Sequence, residues 1–376
     1  MAEPTAPRLM KDVLDARAID RLATALVAVD PSFDRAAFSR CAKRGLDQLE
    51  LKARVQQVIA CLGVSLPDDF RRALAVVVAA SASLQAAAPD DSPGGFVLWP
   101  LVDWVPAYGL AHFDASLAAL RQLTPRFSAE FAVRPFLLAD PPRALATLTA
   151  WLDDPDEHVR RLVSEGTRPR LPWSQQLSMF RADPLPVLAL LTRLRDDPSA
   201  YVRRSVANNL NDIAKDHPAL VIETAAQWWP NASPARQALI RHALRSLVKH
   251  GEAGALQVLG FTTRPEVTVK LSLARKSVSI GENLAFTLDV ESQARRTQKL
   301  VIDYVVHHQR AGGKLTSKVF KWRNLDLTAG ASVQLARSHA FVPRSVRRLY
   351  PGLHRLEVLI GGQVLAGRDF ELREET

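Results

Sequence analysis

The feature that most constrains this chain is an internal repeat. The stretch WLDDPDEHVRRLVSEG aligns with RLRDDPSAYVRRSVANN at an offset of 43 residues. Asp153-Asp154-Pro155 matches Asp196-Asp197-Pro198, and Val159-Arg160-Arg161 matches Val202-Arg203-Arg204. A period of this size is that of two-helix HEAT-type units. One such unit cannot bury its apolar face alone, so repetition predicts a stacked helical array. The acidic residue and proline ahead of each Val-Arg predict a helix start. An aspartate caps free N–H groups there, and proline suits the first turn.

Three arginines fall on this lattice with a carboxylate or amide four residues on: Arg126–Glu130, Arg161–Glu165 and Arg204–Asn208, the last extended one turn to Asp212. The arginines are 35 and then 43 residues apart. A spacing of four puts both members on one helix face, where an ion pair stabilises by about 0.2–0.5 kcal/mol. Three pairs in register predict more than intrahelical pairing: one surface with a cationic stripe and the acids Glu130, Glu165 and Asp212. Arginines on several helices suit phosphates, which they meet by bidentate hydrogen bonds. A purely phosphate-binding surface has no use for carboxylates, because they repel the ligand. Cleavage of an N-glycosidic bond supplies a use. Positive charge develops on the sugar, and a carboxylate stabilises it and orients the attacking water. Trp173 follows Glu165 by eight residues, beyond the proline-broken loop GTRPRLP. Its aromatic face suits a cation, and the competing reading is a core tryptophan at a repeat junction.

Around this centre the chain reads as two domains, an all-α HEAT-like repeat solenoid over 1–261 and a small all-β immunoglobulin-like sandwich over 267–376. Residues 9–62 show helical periodicity in two or three segments. Gly63 is the expected cap of LELKARVQQVIACLG, Asp68 the expected start of the next helix, and APDDSPGG a surface loop. ARQALIRHALRSLVKHG closes the helical part with Arg241, Arg245 and Lys249 on one face. Beyond residue 260, seven short runs alternate apolar and polar residues, which predicts antiparallel strands in a sandwich. They are VTVKLSL, NLAFTLDVE, KLVIDYVVHH, KVFKWRNLDL, SVQLARSHAFV, GLHRLEVLIGG and QVLAGRDFEL. Thr262–Glu266 is the expected linker.

Net charge is +10, which favours an anionic partner. Residues 261–376 hold 19 Lys+Arg against 11 Asp+Glu, so the surplus sits mainly in the strand region. Cys41 and Cys61 read as buried apolar residues without metal-ligand spacing. No stretch has signal-peptide or membrane-spanning character. The P-loop, the GxSxG elbow and HExxH are missing, the nine histidines do not cluster at ligand spacing, and His307 and His308 face opposite ways on a strand.

The stretches LELKARV, HFDASLAALRQLTPRFSAEFAVRPF, HVRRLVSEGTRPRLPW and YVRRSVANNLNDIAKDHP resemble the AlkC-type DNA alkylation repair glycosylases, relatives of AlkD with HEAT-like repeats. The resemblance covers about residues 9–261, and the strand region looks like the Ig-like domain of one branch. It implies hydrolytic excision of 3-methyladenine and 3-methylcytosine from duplex DNA without conventional base flipping. Carried over, Glu130 in SAEF, Glu165 in SEG and Asp212 in NLNDIAKDH are the active-site acids, with Asp212 chief. Trp173 is their aromatic partner, and Arg161 an active-site arginine. Arg161, Arg126, Arg134, Arg168, Arg170, Arg204, Asn208, Arg241 and Arg245 are the expected DNA contacts. The expected partner is alkylated double-stranded DNA and the expected state a monomer, with no cofactor, no metal and no membrane. The expected place is the cytoplasm, at the bacterial nucleoid during repair. The competing functions are a HEAT-repeat scaffold for an acidic protein and a damage sensor that binds without cutting.

Overall fold

In the computed structural model the described residues are 9–87, 94–343 and 348–374. The loop expected over 88–95 lies mostly outside them, as do residues 1–8. The chain packs as two compact units, Met1–Ile213 and Ala214–Thr376. Among the described residues no helix is long and apolar enough to cross a membrane.

The first unit is helical. Ala16–Val29 buries Ile19, Leu22, Ala23 and Leu26 along one face, as their spacing dictates. Asp15 caps it by accepting from the Ala18 N–H at 2.8 Å. Leu51–Ser65 runs through Gly63, which is therefore not its cap. A Cβ on Gly63 would lie 1.8 Å from the Tyr108 hydroxyl of helix Trp99–Gly109, so the glycine serves close helix packing instead. The next helix, Phe70–Ala87, is capped one residue later than expected, by Asp69, which accepts from the Arg72 N–H at 2.8 Å. Cys41 and Cys61 are joined as a disulfide, with Cα atoms 5.9 Å apart. The expectation of two separate apolar side chains is thereby corrected. Helices Arg35–Lys43 and Leu51–Ser65 pack together and bring the sulfurs within bonding reach.

The 43-residue repeat is visible in the bonding. Arg160 donates to the carbonyls of Asp154 and Pro155, and Arg203 donates to those of Asp197 and Pro198. Arg121 reaches Asp154 at 2.5 Å and Arg160 reaches Asp197 at 2.7 Å. Each Asp-Pro element is thus a brace between successive units. The helix caps are the following residues, Asp156 and Ser199, which accept from N–H groups of His158 and Tyr201.

The second unit begins with helices Pro218–Trp228, Pro234–Ala243, Arg245–Lys249 and Ala253–Val258. Among the described residues eight strands follow: β1 (Val267–Leu273), β2 (Ser277–Ser279), β3 (Asn283–Ser292), β4 (Gln298–Gln309), β5 (Leu315–Leu327), β6 (Ser332–Ala340), β7 (Gly352–Ile360) and β8 (Gln363–Arg373). They form two sheets, β1-β3-β6 and β2-β8-β7-β4-β5. Inward residues such as Leu288, Val290, Ile302, Tyr304, Leu356 and Phe370 make the core. All seven expected strands are present. The eighth, β2, is three residues long and pairs parallel to β8, so the sandwich is not wholly antiparallel.

Candidate active site

The three predicted acids meet in the first unit, strung together by two arginines. Arg161 Nη1 lies 2.5 Å from Glu130 Oε2, and Arg161 Nη2 lies 3.4 Å from Glu165 Oε1. Arg168 Nη1 lies 2.6 Å from the same Glu165 oxygen, and its Nε lies 2.8 Å from Asp212 Oδ2. The run Glu130–Arg161–Glu165–Arg168–Asp212 is continuous. Three carboxylates are linked through these two guanidinia. Glu165 and Asp212 are 5 % and 3 % exposed. Burial in a medium less polar than water strengthens their influence on a nearby cation. It also lowers the affinity of both arginines for their protons, but the acids outweigh it and hold Arg161 and Arg168 above the usual range. For Arg161 the acids are Glu165 and then Glu130, and for Arg168 Glu165 and then Asp212.

Local sequence explains the placement. Helix Glu157–Gly166 buries Val159, Leu162 and Val163, and its last turn delivers Glu165. Gly166 ends it where a Cβ would meet Val133 Cγ1 at 2.5 Å, so SEG needs its glycine for close approach. Helix Ala200–Ile213 packs beside it and presents Ser205 and Asp212 two turns apart on one face. Ser205 Oγ donates to Glu165 Oε2 at 2.6 Å and lies 2.9 Å from Ser164 Oγ. Asn209 donates to the Ser164 carbonyl at 2.8 Å, pinning the two helices. Ser128 Oγ donates to Glu130 Oε2 at 2.9 Å, and Arg161 lies over the Tyr201 ring at 5.0 Å.

Trp173 stands at the tip of the loop after Glu165. It is 57 % exposed and has a left-handed backbone, φ 66°. That conformation costs a non-glycine residue on the order of 1–3 kcal/mol and persists only where neighbours enforce it. Here Lys52 Nζ donates to the Trp173 carbonyl at 2.5 Å. Arg134 ties down the loop ends by donating to the carbonyls of Gly166 at 2.9 Å, Arg168 at 2.8 Å and Gln175 at 2.5 Å. Trp173 is therefore not a core residue.

Several sequence expectations change in detail. Arg126 and Glu130 sit in the turn between helices Phe113–Leu123 and Arg134–Ala139, not on one helix. Arg126 donates to the Gln122 carbonyl and to Ser81 Oγ, while Glu130 bonds Arg161. Only Arg161–Glu165 is an ion pair at helical spacing among the three. Arg134 is 1 % exposed and spent on carbonyls, which corrects its assignment to a DNA-facing surface. Burial first, and the neighbouring Arg168 second, pull its pKa down to about 10. Arg168, 9 % exposed, neutralises two of the acids and likewise does not face outward. Arg204 is exposed, and Arg170 and Asn208 are half-buried. Arg241 and Arg245 belong to the second unit, on either side of a helix break at Leu244. Ser128, Ser164, Ser205, Tyr201 and Lys52 were not anticipated. Ser205 was within reach of sequence reasoning, lying seven residues before Asp212 on the same face. Ser164 and Ser128 neighbour Glu165 and Glu130 in sequence and Tyr201 shares a helix with Asp212, but no local pattern announces their contacts, and Lys52 comes from a distant segment.

Residues 267–374 match the family described as the C-terminal Ig-like domain of the uncharacterised protein YhaZ. Bacillus subtilis YhaZ itself is 36 % identical over 365 residues, 96 % of this chain and 99 % of that protein. Among solved structures, the Pseudomonas fluorescens alkylpurine DNA glycosylase AlkC, bound to DNA containing an abasic-site analogue, is 39 % identical. The match has a TM-score of 0.91 and covers 97 % of this chain and all of that one.

Proposed function

The chain belongs to the family that holds YhaZ and the alkylpurine DNA glycosylase AlkC, and on that premise we propose that it is a monofunctional DNA glycosylase of alkylation repair. The observation that carries the reading is the continuous acid–arginine run that gathers Glu130, Glu165 and Asp212, followed in the chain by a loop that bears an exposed tryptophan. Its substrates are cationic bases, 3-methyladenine and 3-methylcytosine, in duplex DNA. These bases carry the positive charge that makes them good leaving groups, so the site needs little general acid. What it supplies is electrostatic: fixed carboxylates placed where sugar charge develops.

Asp212 is the chief stabiliser of that charge and positions the attacking water. In the unbound protein Arg168 neutralises it, and the sugar cation takes over part of that role as the bond breaks. Glu165 is held by Arg161, Arg168 and Ser205 and keeps the run rigid. Glu130 and the exposed Trp173 meet the cationic base, Trp173 through its ring face. Arg126, Arg161, Arg170, Arg204 and Asn208 are proposed to steer or contact phosphates. The lesion is engaged without conventional base flipping, and an abasic site remains, unnicked. The enzyme works as a monomer in the cytoplasm, without metal or organic cofactor.

The test is single-turnover release of methylated bases from duplex DNA, run alongside a salt titration of binding. Release of both bases, with affinity falling steeply as salt rises, is the expected result. Tight binding with no release by pure protein would leave a damage sensor. Affinity indifferent to salt would favour a scaffold.

A further inference from the structure

The second unit contains a pocket of about 490 Å³, lined by none of the residues of the acid–arginine run. The size is that of a site for a small organic ligand. Its depth and its mouth differ in chemistry. The buried lining includes Leu259, Val301 and Asp303, at 6 %, 3 % and 5 % exposure. Phe261 and Val319 are half-buried beside them. The mouth carries Arg241, Arg245, Lys249, Lys299 and Lys321, all exposed. Five cations thus surround an opening whose floor is apolar and aromatic, with one carboxyl.

The parts are held in place. The Phe261–Thr262 segment is pinned to β4, where the Thr262 N–H donates to the Lys299 carbonyl at 2.8 Å. The Lys299 ammonium lies over the Phe261 ring at 5.2 Å, and Arg241 lies over Trp229 at 5.2 Å. Asp303 sits where the β4–β5 register shifts, opposite Lys321. A carboxyl there would repel an anion if charged. Burial pushes it up to about 6, opposed by Lys321 and then Lys249. Near neutrality it is still mainly ionised, its charge offset by Lys321 and Lys249, and in either state it accepts from a ring N–H or exocyclic amine.

A cationic mouth with a flat, apolar floor matches a ligand that has a phosphoryl group at one end and a heterocycle at the other. Duplex DNA supplies the first but stacks its bases on one another, so its backbone reaches the mouth without filling the floor. We propose that this pocket binds a free nucleoside phosphate, its phosphoryl group among Lys249, Lys321 and the two arginines and its base against Phe261 and Asp303. Aromatic stacking of a base contributes about 1–3 kcal/mol, and charge-assisted bonds from several cations orient the phosphate.

Isothermal titration of the full chain with AMP, CMP, GMP and TMP tests this, with adenosine, inorganic phosphate and an unmodified short duplex as comparisons. No lesion is involved, so the outcome is separate from base release. The expected result is one-to-one binding of at least one mononucleotide. Adenosine and phosphate alone bind at least tenfold more weakly, and the duplex does not displace the mononucleotide. The double variant Lys249→Ala/Lys321→Ala weakens binding at least tenfold while it still unfolds cooperatively in a thermal melt, at a temperature lowered by the loss of the two cations that face Asp303. Absence of mononucleotide binding, or binding indifferent to the double variant, overturns the proposal. Displacement by the duplex also overturns it and reassigns the mouth to a strand backbone.

Discussion

Replacing Arg134 by methionine separates two roles that a basic residue beside an active site can have. Its guanidinium serves the carbonyls of Gly166, Arg168 and Gln175, the first two in buried surroundings. A buried carbonyl left without a donor costs about 1–3 kcal/mol. Against this, the variant removes a charge that burial and Arg168 disfavour, the origin of its pKa near 10. The expected net loss is on the order of 2–4 kcal/mol. At about 2–4 °C per kcal/mol for a unit of this size, thermal unfolding should move down by roughly 5–15 °C. Arg134→Lys, with one donor head in place of a fork, should fall between. Limited proteolysis should cut the 167–177 loop faster in the methionine variant. The salt slope of DNA binding should stay as in wild type, because no phosphate contact is lost. A methionine variant that melts like wild type, with a slope shallower by about 0.9, would refute this reasoning and return Arg134 to the DNA surface.

Further predictions concern packing and titration. Gly63→Ala drives a methyl group into Tyr108 and should cost about 1–3 kcal/mol, while the same change in a Tyr108→Ala background should cost less than half as much by chemical denaturation. Asp103 accepts from Trp99 Nε1 at 2.6 Å, and burial raises its pKa to about 6 despite that bond. A folded pKa above the unfolded value gives stability present below about pH 3.8 and lost as pH rises through about 6. Wild type should therefore lose on the order of 3 kcal/mol across that window that Asp103→Asn does not lose. His354 shows the opposite sign. Burial lowers its pKa, opposed by its bond to the Gly352 carbonyl, and its Nε2 accepts from the Gln309 N–H. Its stability contribution is present above the unfolded histidine range and lost as pH falls through the lowered folded value, so acid melts of His354→Gln should be flatter than those of wild type.

The sequence carried the acids of the site better than their bonds. Glu165 and Asp212 were legible because helical spacing and the 43-residue offset put them on neighbouring faces. The link from Glu130 to Arg161 was not, because it joins a turn to a helix 31 residues on. Arg134 looked like surface charge, since arginine is seldom fully buried, and no local pattern announces three waiting carbonyls. Gly63 fits the common use of a glycine near a helix end, a cap, but its real constraint is a tyrosine 45 residues later in the chain. The strands alternated cleanly and were found, whereas β2 is too short to show a period and owes its existence to β8. Pairing of Cys41 with Cys61 depends on how two helices pack, which neither cysteine's neighbours reveal.

The most direct test of the central claim is single-turnover base release from methylated duplex DNA by wild type and by Asp212→Asn, which removes the charge and keeps the shape. The account predicts release of 3-methyladenine and 3-methylcytosine by wild type, a loss of at least a hundredfold in the variant, and DNA binding retained by both. Equal release by the two proteins would contradict the role given to Asp212, and no release by either would contradict the glycosylase itself.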